Sequence, residues 1–117
     1  MISAERIVLR GLASLRVGRL DVELPDGRRE TFGARAAPDE APDHAPERLR
    51  VRLKVRDPAF FRRVLLDGET GAGASYIEGE WETDDLVGLV RLGIANRDAL
   101  RSASVLFWLG AGVGWLA

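Results

Sequence analysis

Residues 68–85, GETGAGASYIEGEWETDD, determine most of what this chain can fold into. Two glycines separated by one residue, Gly71 and Gly73, predict a tight turn. The aromatic and apolar residues that follow predict a short strand over residues 74–81. The sequence Thr83-Asp84-Asp85 then supplies a cap and two carboxylates for the positively polarised first turn of a helix. The stretch therefore predicts a turn, a strand and the start of a helix, in that order.

The residues upstream of this stretch predict a strand followed by a helix. Residues 48–55 alternate strictly between basic and apolar side chains, which is typical of a strand with one buried face. Asp57 and Pro58 are suited to the N-cap and the first position of a helix. Phe60 and Phe61 begin the apolar stripe of this helix, and Gly68 is a suitable residue to end it.

The two flanking regions complete a predicted α+β domain. Residues 3–15 have helical spacing behind Ser3 as N-cap, and residues 16–24 and 29–32 predict a hairpin around a Pro-Asp-Gly turn. The proline-rich residues 34–47 show no periodicity and predict a mobile loop. Apolar positions after Thr83 predict a helix to Asn96, and another helix follows from Arg97. The predicted order, α-β-β-β-α-β-α-α over one domain of 117 residues, indicates a small, mostly antiparallel sheet covered by helices.

The composition limits the classes of function. The 17 basic and 18 acidic side chains nearly cancel, so no nucleic-acid partner is indicated. The chain has no cysteine, and its single histidine, His44, lies in the predicted loop. The glycine pairs lack the spacing of a nucleotide-binding loop, and local structure accounts for the paired carboxylates. We therefore expect a non-catalytic chain without metal or cofactor, and since no signal peptide is evident, a cytoplasmic one.

The basic face of the strand at residues 48–55 leaves two interpretations open. Its side chains, from Arg48 to Lys54, form the main local concentration of positive charge in the sequence. A solvated sheet face explains this pattern, and so does a contact with anionic lipid headgroups or an acidic partner.

The C-terminal segment, residues 105–117, is VLFWLGAGVGWLA, which contains no charge. It is shorter than the ~20 apolar residues that cross a bilayer. Its aromatic residues, Phe107, Trp108 and Trp115, suit the boundary between headgroups and acyl chains. A helix within the core or between domains is the alternative. The segment also predicts continuation into a further domain.

The run from Gly68 to Leu86 resembles the N-terminal domain of bacterial cyclopropane-fatty-acyl-phospholipid synthases. The resemblance is carried by a glycine-spaced turn, an aromatic residue, a Gly-acid-Trp step and an Asp-Asp-Leu helix start. These positions are Gly71, Gly73, Tyr76, Gly79, Glu80, Trp81, Asp84, Asp85 and Leu86. The resembling region extends from about Leu49 to Asn96. One departure is Ala74, where the family usually has a glutamate.

The resemblance implies a fold like that of sterol carrier proteins, in which helices cover a curved sheet that can enclose an acyl chain. It implies a non-catalytic domain that engages lipid or membrane for an S-adenosylmethionine-dependent methyltransferase acting on phospholipid acyl chains, in the same chain or another. Glu80, Asp84 and Asp85 would contact that catalytic domain, and the protein would be peripherally membrane-associated. The implied lipid-binding residues, each also suited to a plain core, are Phe60, Phe61, Leu65, Tyr76, Ile77, Trp81, Leu86 and Leu89.

Two other functions remain open at this point. The chain could be a dimerisation or docking module, in which exposed apolar helices pair two copies or bind the catalytic domain. It could also be a stand-alone carrier of a small apolar lipid.

Overall fold

A computed structural model describes residues 3–34 and 37–101. The order of elements is one helix, three strands, a helix, a strand and a helix, with a short 3-10 helix, Pro46–Arg48, before the third strand. The helices are α1 (Ala4–Leu12), α2 (Ala59–Ile77) and α3 (Leu86–Ala95), and the strands are β1 (Arg19–Glu23), β2 (Arg29–Gly33), β3 (Arg50–Val55) and β4 (Trp81–Thr83). The predicted α+β class is therefore confirmed.

The four strands form one mixed sheet in the order β2-β1-β3-β4. The β1–β2 hairpin and the β3–β4 pair are antiparallel, as the Pro-Asp-Gly turn predicts for the hairpin. The two central strands, β1 and β3, are parallel, with Leu20 level with Val51 and Val22 level with Leu53. The prediction of a mostly antiparallel sheet is therefore wrong. The reason is the long connection after β2, which returns the chain to the opposite side of β1 and starts β3 in the same direction.

The core lies between the apolar face of the sheet and the helices. Alternate residues of the two central strands are buried, from Leu20 to Leu24 and from Val51 to Val55. Phe60, Phe61 and Trp81 join the same cluster, and the apolar face of α1 packs against it. The strict alternation in the sequence correctly identifies the buried face of β3.

The structure differs from the sequence prediction over residues 69–81, which include the second half of α2. Asp57 accepts a hydrogen bond from the amide of Ala59 (2.9 Å), and the helix begins one residue later than predicted, with Pro58 rather than Asp57 at the N-cap position. Gly68 interrupts α2 as the sequence predicts: its φ of 56° and ψ of −128° are not helical, so one helix ends there and a second follows directly and runs to Ile77. Residues 71–77 are helical, so the predicted turn and most of the predicted strand are wrong. The strand begins only at Trp81.

The physical reason for this helix lies in two small residues four positions apart, Gly71 and Ser75, which are both buried. A Cβ at Gly71 would collide with the carbonyl oxygen of Arg63 in the preceding part of α2. The absence of a side chain therefore lets the two halves of α2 fold closely together across the bend. Tertiary packing, rather than the β preference of residues 76 and 77, decides the local structure.

Helix α3 ends within one residue of the prediction but begins two residues later than the predicted cap at Thr83 implies. The Oδ1 atom of Asp85 accepts a hydrogen bond from the amide of Gly88 (2.8 Å), which makes Asp85 the N-cap. Thr83 belongs to β4 instead, where its hydroxyl donates to the carbonyl oxygen of Arg52 (2.6 Å). Residues 97–101 are again helical.

Candidate lipid- or partner-binding surface

The predicted lipid-binding residues separate into a buried and an exposed group. Phe60, Phe61 and Trp81 are buried, and their rings contact one another with centroid distances of 5.2 Å for the two phenylalanines and 6.1 Å for Phe60 and Trp81. The indole nitrogen of Trp81 donates to the carbonyl oxygen of Ala72 (2.9 Å). These three side chains are therefore close-packed core. Leu65 and Leu89 are half-buried.

The exposed group starts at the C-terminal end of α2. Ile77 is 84% exposed, and Tyr76 is exposed although one side of its ring lies 4.8 Å from the ring of Trp81, measured between centroids. Leu66, which the sequence did not single out, is also strongly exposed. We call Leu66, Tyr76 and Ile77 the α2 apolar residues. Exposed apolar side chains that form a patch mark contact surfaces, so these residues are candidates for contact with lipid or a partner.

Helix α3 has apolar side chains on opposite sides. Its inner side carries Gly88, Leu92 and Asn96 at intervals of four residues, and all three are buried. Its outer side carries four apolar residues that are between 43% and 71% exposed. We call this set the α3 outer face: it consists of Leu86, Val87, Val90 and Ile94. A helix that is apolar all round is normally covered on all sides, so its outer face is a candidate contact surface.

Asn96 fixes α3 to the body of the domain, and sequence reasoning treated it only as a helix end. Its side-chain oxygen accepts hydrogen bonds from the amides of Arg16 and Val17, both 2.9 Å long. Its side-chain nitrogen donates to the carbonyl oxygens of Val17 (2.8 Å) and Leu92 (2.9 Å). Its spacing from Gly88 and Leu92 was the available signal. The outer face of α3 is therefore held outward by a rigid attachment.

Of the predicted partner-domain contacts, Glu80 is engaged inside the chain. Its carboxylate accepts a hydrogen bond from the hydroxyl of Ser75 (2.5 Å) and pairs with the guanidinium of Arg63 (3.0 Å). The residue is only 8% exposed. This arrangement joins β4 to both halves of α2, so the acidic residue of the Gly-acid-Trp step has a structural role here.

Asp84 and Asp85 are exposed, but each also stabilises the backbone. Asp84 accepts a hydrogen bond from the amide of Arg52 on β3 (2.9 Å) rather than from a helix amide. The expectation that helix capping accounts for both carboxylates is therefore correct for Asp85 alone. Both side chains remain at the surface, where their negative charge lies beside the first turn of α3. A contact with a catalytic domain stays a prediction for them.

The polar face of the sheet combines both signs of charge. The basic residues of β3 lie between acidic residues of the neighbouring strands, with Arg52 level with Asp21 and Lys54 level with both Glu23 and Glu82. Lys54 and Arg29 both pair with Glu23, at 3.6 and 3.4 Å. An open depression of about 550 Å³ on this face has a mainly charged lining. Cross-strand pairing accounts for this pattern, which favours the solvated-face interpretation over an anion-binding one.

Asp21 shows the effect of this pairing on titration. Burial alone would raise the pKa of its carboxyl, but hydrogen bonds from Thr31 and Arg19 and the charges of Arg19 and Arg52 lower the pKa below the usual 3.8. The carboxylate is therefore held in its charged form by its neighbours. Its bonds to Thr31 and Arg19 are 2.7 and 3.1 Å long.

The predicted membrane contacts Phe107, Trp108 and Trp115 lie outside the described residues, and so remain predictions. Within residues 3–34 and 37–101, no helix is long and apolar enough to cross a bilayer. The same residues contain no group of three or more acidic or histidine side chains suited to hold a metal ion.

Comparison with known proteins gives no relative from which a function could be transferred. No protein-family model, no curated protein and no solved structure matches the chain. The functional argument therefore depends on the residues and their geometry.

Proposed function

We propose that the chain is a non-catalytic, lipid-engaging domain that serves a cyclopropane-fatty-acid-synthase-type methyltransferase. The observation that carries the proposal is the exposure of the α2 apolar residues on a domain whose core is otherwise closed. Ile77, the most exposed of them, is 84% accessible although it belongs to an ordered helix. Apolar side chains presented in this way gain free energy when they enter the boundary between headgroups and acyl chains.

The geometry favours lipid contact at the surface over lipid enclosed in the core. The ring of Phe60 packs against those of Phe61 and Trp81, and an acyl chain between them would have to separate these rings. Ile77 is free of this constraint, and Tyr76 is exposed although its ring contacts that of Trp81. Leu86, the third exposed residue of the predicted lipid-binding set, begins α3 and belongs to the outer face of that helix. The stand-alone carrier is therefore the less favoured alternative.

The link to a methyltransferase depends on the residues that carry the resemblance. In this chain they build one unit, α2–β4–α3: Gly71 permits the close approach of the two halves of α2, Glu80 joins these halves, and Asp85 caps α3. Residues with such roles specify a scaffold rather than a reaction. A non-catalytic domain would share such scaffold residues with its relatives, rather than residues that perform a reaction.

Vesicle co-sedimentation of the full chain tests the lipid proposal. We expect binding to vesicles of phosphatidylcholine alone and of phosphatidylcholine mixed with phosphatidylglycerol. The double variant Leu66→Ser/Ile77→Ser should bind at least several-fold more weakly, because it removes apolar area but no core contact. The matched variant Leu66→Ile/Ile77→Leu keeps this area and should bind like the parent. If both variants bind vesicles equally well, the α2 apolar residues do not contribute to lipid binding.

The methyltransferase link needs a separate experiment. We would fuse the chain to the catalytic domain of a bacterial cyclopropane synthase whose own N-terminal domain has been removed. Restored formation of cyclopropane fatty acids in cells would support the link. Lipid binding without restored activity would leave a lipid-binding domain that serves some other protein.

A further inference from the structure

We propose that two copies of this chain pair through the α3 outer face, with their helices antiparallel. This goes beyond the proposed lipid contact, which involves α2. The starting point is that α3 exposes Val87, Val90 and Ile94 while Leu92 and Asn96 hold its other side against the domain. The face therefore cannot turn inward to bury these side chains.

The distribution of charge along α3 indicates which surface would cover it. Asp84 and Asp85 lie directly before the first turn, while Arg91, Arg97 and Arg101 lie in the second half and beyond. Asp98 is the other acidic residue in this stretch, so residues 84–101 carry three negative and three positive side chains. The acidic end, residues 84–85, has a net charge of −2, and the basic end, residues 91–101, has a net charge of +2.

An antiparallel partner of the same sequence is complementary to this pattern. It places the acidic end of each helix against the basic end of the other, and it also opposes the two helix dipoles. A parallel pair would bring like charges together. An anionic membrane would meet no net charge along the stretch, so it would attract one end of the helix and repel the other. The charge pattern therefore favours a second copy over an anionic surface.

The spacing of the residues agrees with a two-fold axis near Val90. Val87 and Ile94 lie on either side of it, so Val87 of one copy is level with Ile94 of the other. Asp84 lies six residues before Val90 and Arg97 seven after it, so the two opposite charges lie at similar sequence distances on either side of the axis.

The size of the face sets the expected strength of the pair. Helix α3 has ten residues and is about 15 Å long. A standard protein interface buries about 800 Å² per partner from 20–30 residues. One helix face supplies less than this, so the pair should be weak and should depend on protein concentration.

Cysteine cross-linking tests the geometry directly, because the chain contains no cysteine of its own. With copper–phenanthroline as oxidant, Val90→Cys should give a disulfide-linked dimer far faster than Ile77→Cys, an exposed control on α2. A mixture of Val87→Cys and Ile94→Cys should form the mixed dimer faster than either variant forms its own. Equal rates at Val90 and Ile77 would overturn the pairing, and faster self-linking at Val87 would overturn the antiparallel direction.

Sedimentation velocity over a range of concentrations tests the same pair without cross-linking. Val90→Lys should raise the dissociation constant at least tenfold, and its thermal midpoint should stay close to that of the parent because Val90 is not in the core. The double variant Arg97→Glu/Arg101→Glu should raise the dissociation constant several-fold. A parent chain that stays monomeric overturns the proposal. If Val90→Lys then also loses vesicle binding, the α3 outer face contacts lipid instead. These outcomes are independent of the α2 variants, so the two proposals can fail separately.

Discussion

At the scale of single residues, a buried amide side chain has an unusually large number of hydrogen bonds. Asn96 is 2% exposed and uses both its oxygen and its nitrogen in four hydrogen bonds, three of them to the backbone between α1 and β1. Buried polar groups of the backbone need such partners, since leaving one unpaired costs about 1–3 kcal/mol. One residue thus attaches α3 to a segment some eighty positions earlier in the sequence.

Asn96→Ala should lower the free energy of unfolding by about 3 kcal/mol, because it leaves the amides of Arg16 and Val17 without their acceptor. Urea unfolding followed by circular dichroism measures the effect. Asp98→Ala, an exposed change two residues further on, is the control and should stay within ~0.5 kcal/mol of the parent. A loss below about 1 kcal/mol for Asn96→Ala would mean that water replaces the amide.

At the scale of elements, the glycines of α2 differ in role although they look alike in the sequence. Gly71 is buried where a Cβ would meet the carbonyl oxygen of Arg63, whereas a Cβ at Gly73 would meet nothing within 4 Å. Gly68 supplies the positive φ that bends the helix. The spacing of the run therefore reflects one bend and one close approach rather than a turn between elements.

Gly71→Ala should destabilise the domain by about 1–3 kcal/mol or more, because the added methyl group forces the two halves of α2 apart. Gly73→Ala lies on the same helix without such a neighbour, and should stabilise it by about 0.5–1 kcal/mol. Thermal unfolding of the two variants side by side measures the difference. Similar midpoints for both would show that α2 does not bend as described.

How far the sequence predicts an element depends on whether its pattern is local. The alternation of β3 and the Pro-Asp-Gly turn of the hairpin are local, and both predictions are confirmed. The parallel pairing of β1 with β3 depends on where a long connection leads, which no local pattern specifies. Residues 74–77 were predicted as strand from their composition, but the burial of Gly71 and Ser75 makes them helical. Surface residues are equally hard to predict from local pattern. The sequence identifies the apolar positions of α3, but which of them face outward depends on the packing of Leu92 and Asn96 against the domain.

At the scale of the whole molecule, the described surface has a region of paired charges and other regions with exposed apolar side chains. One face of the sheet is covered with paired charges, while exposed apolar side chains lie on α2 and α3. The C-terminal segment of the sequence contains two of the three tryptophans, Trp108 and Trp115. The remaining tryptophan, Trp81, is buried in the core and donates to Ala72. The three tryptophans can therefore report separately on the core and on membrane contact.

If the C-terminal segment contacts a bilayer, vesicles should shift the tryptophan emission of the parent chain to shorter wavelength, because Trp108 and Trp115 leave water for the headgroup boundary. Trp108→Phe/Trp115→Phe should show little shift, since Trp81 is only 6% exposed before vesicles are added. A shift of equal size in the double variant would place the change at Trp81, and binding would then open the core instead of burying the C-terminal aromatics.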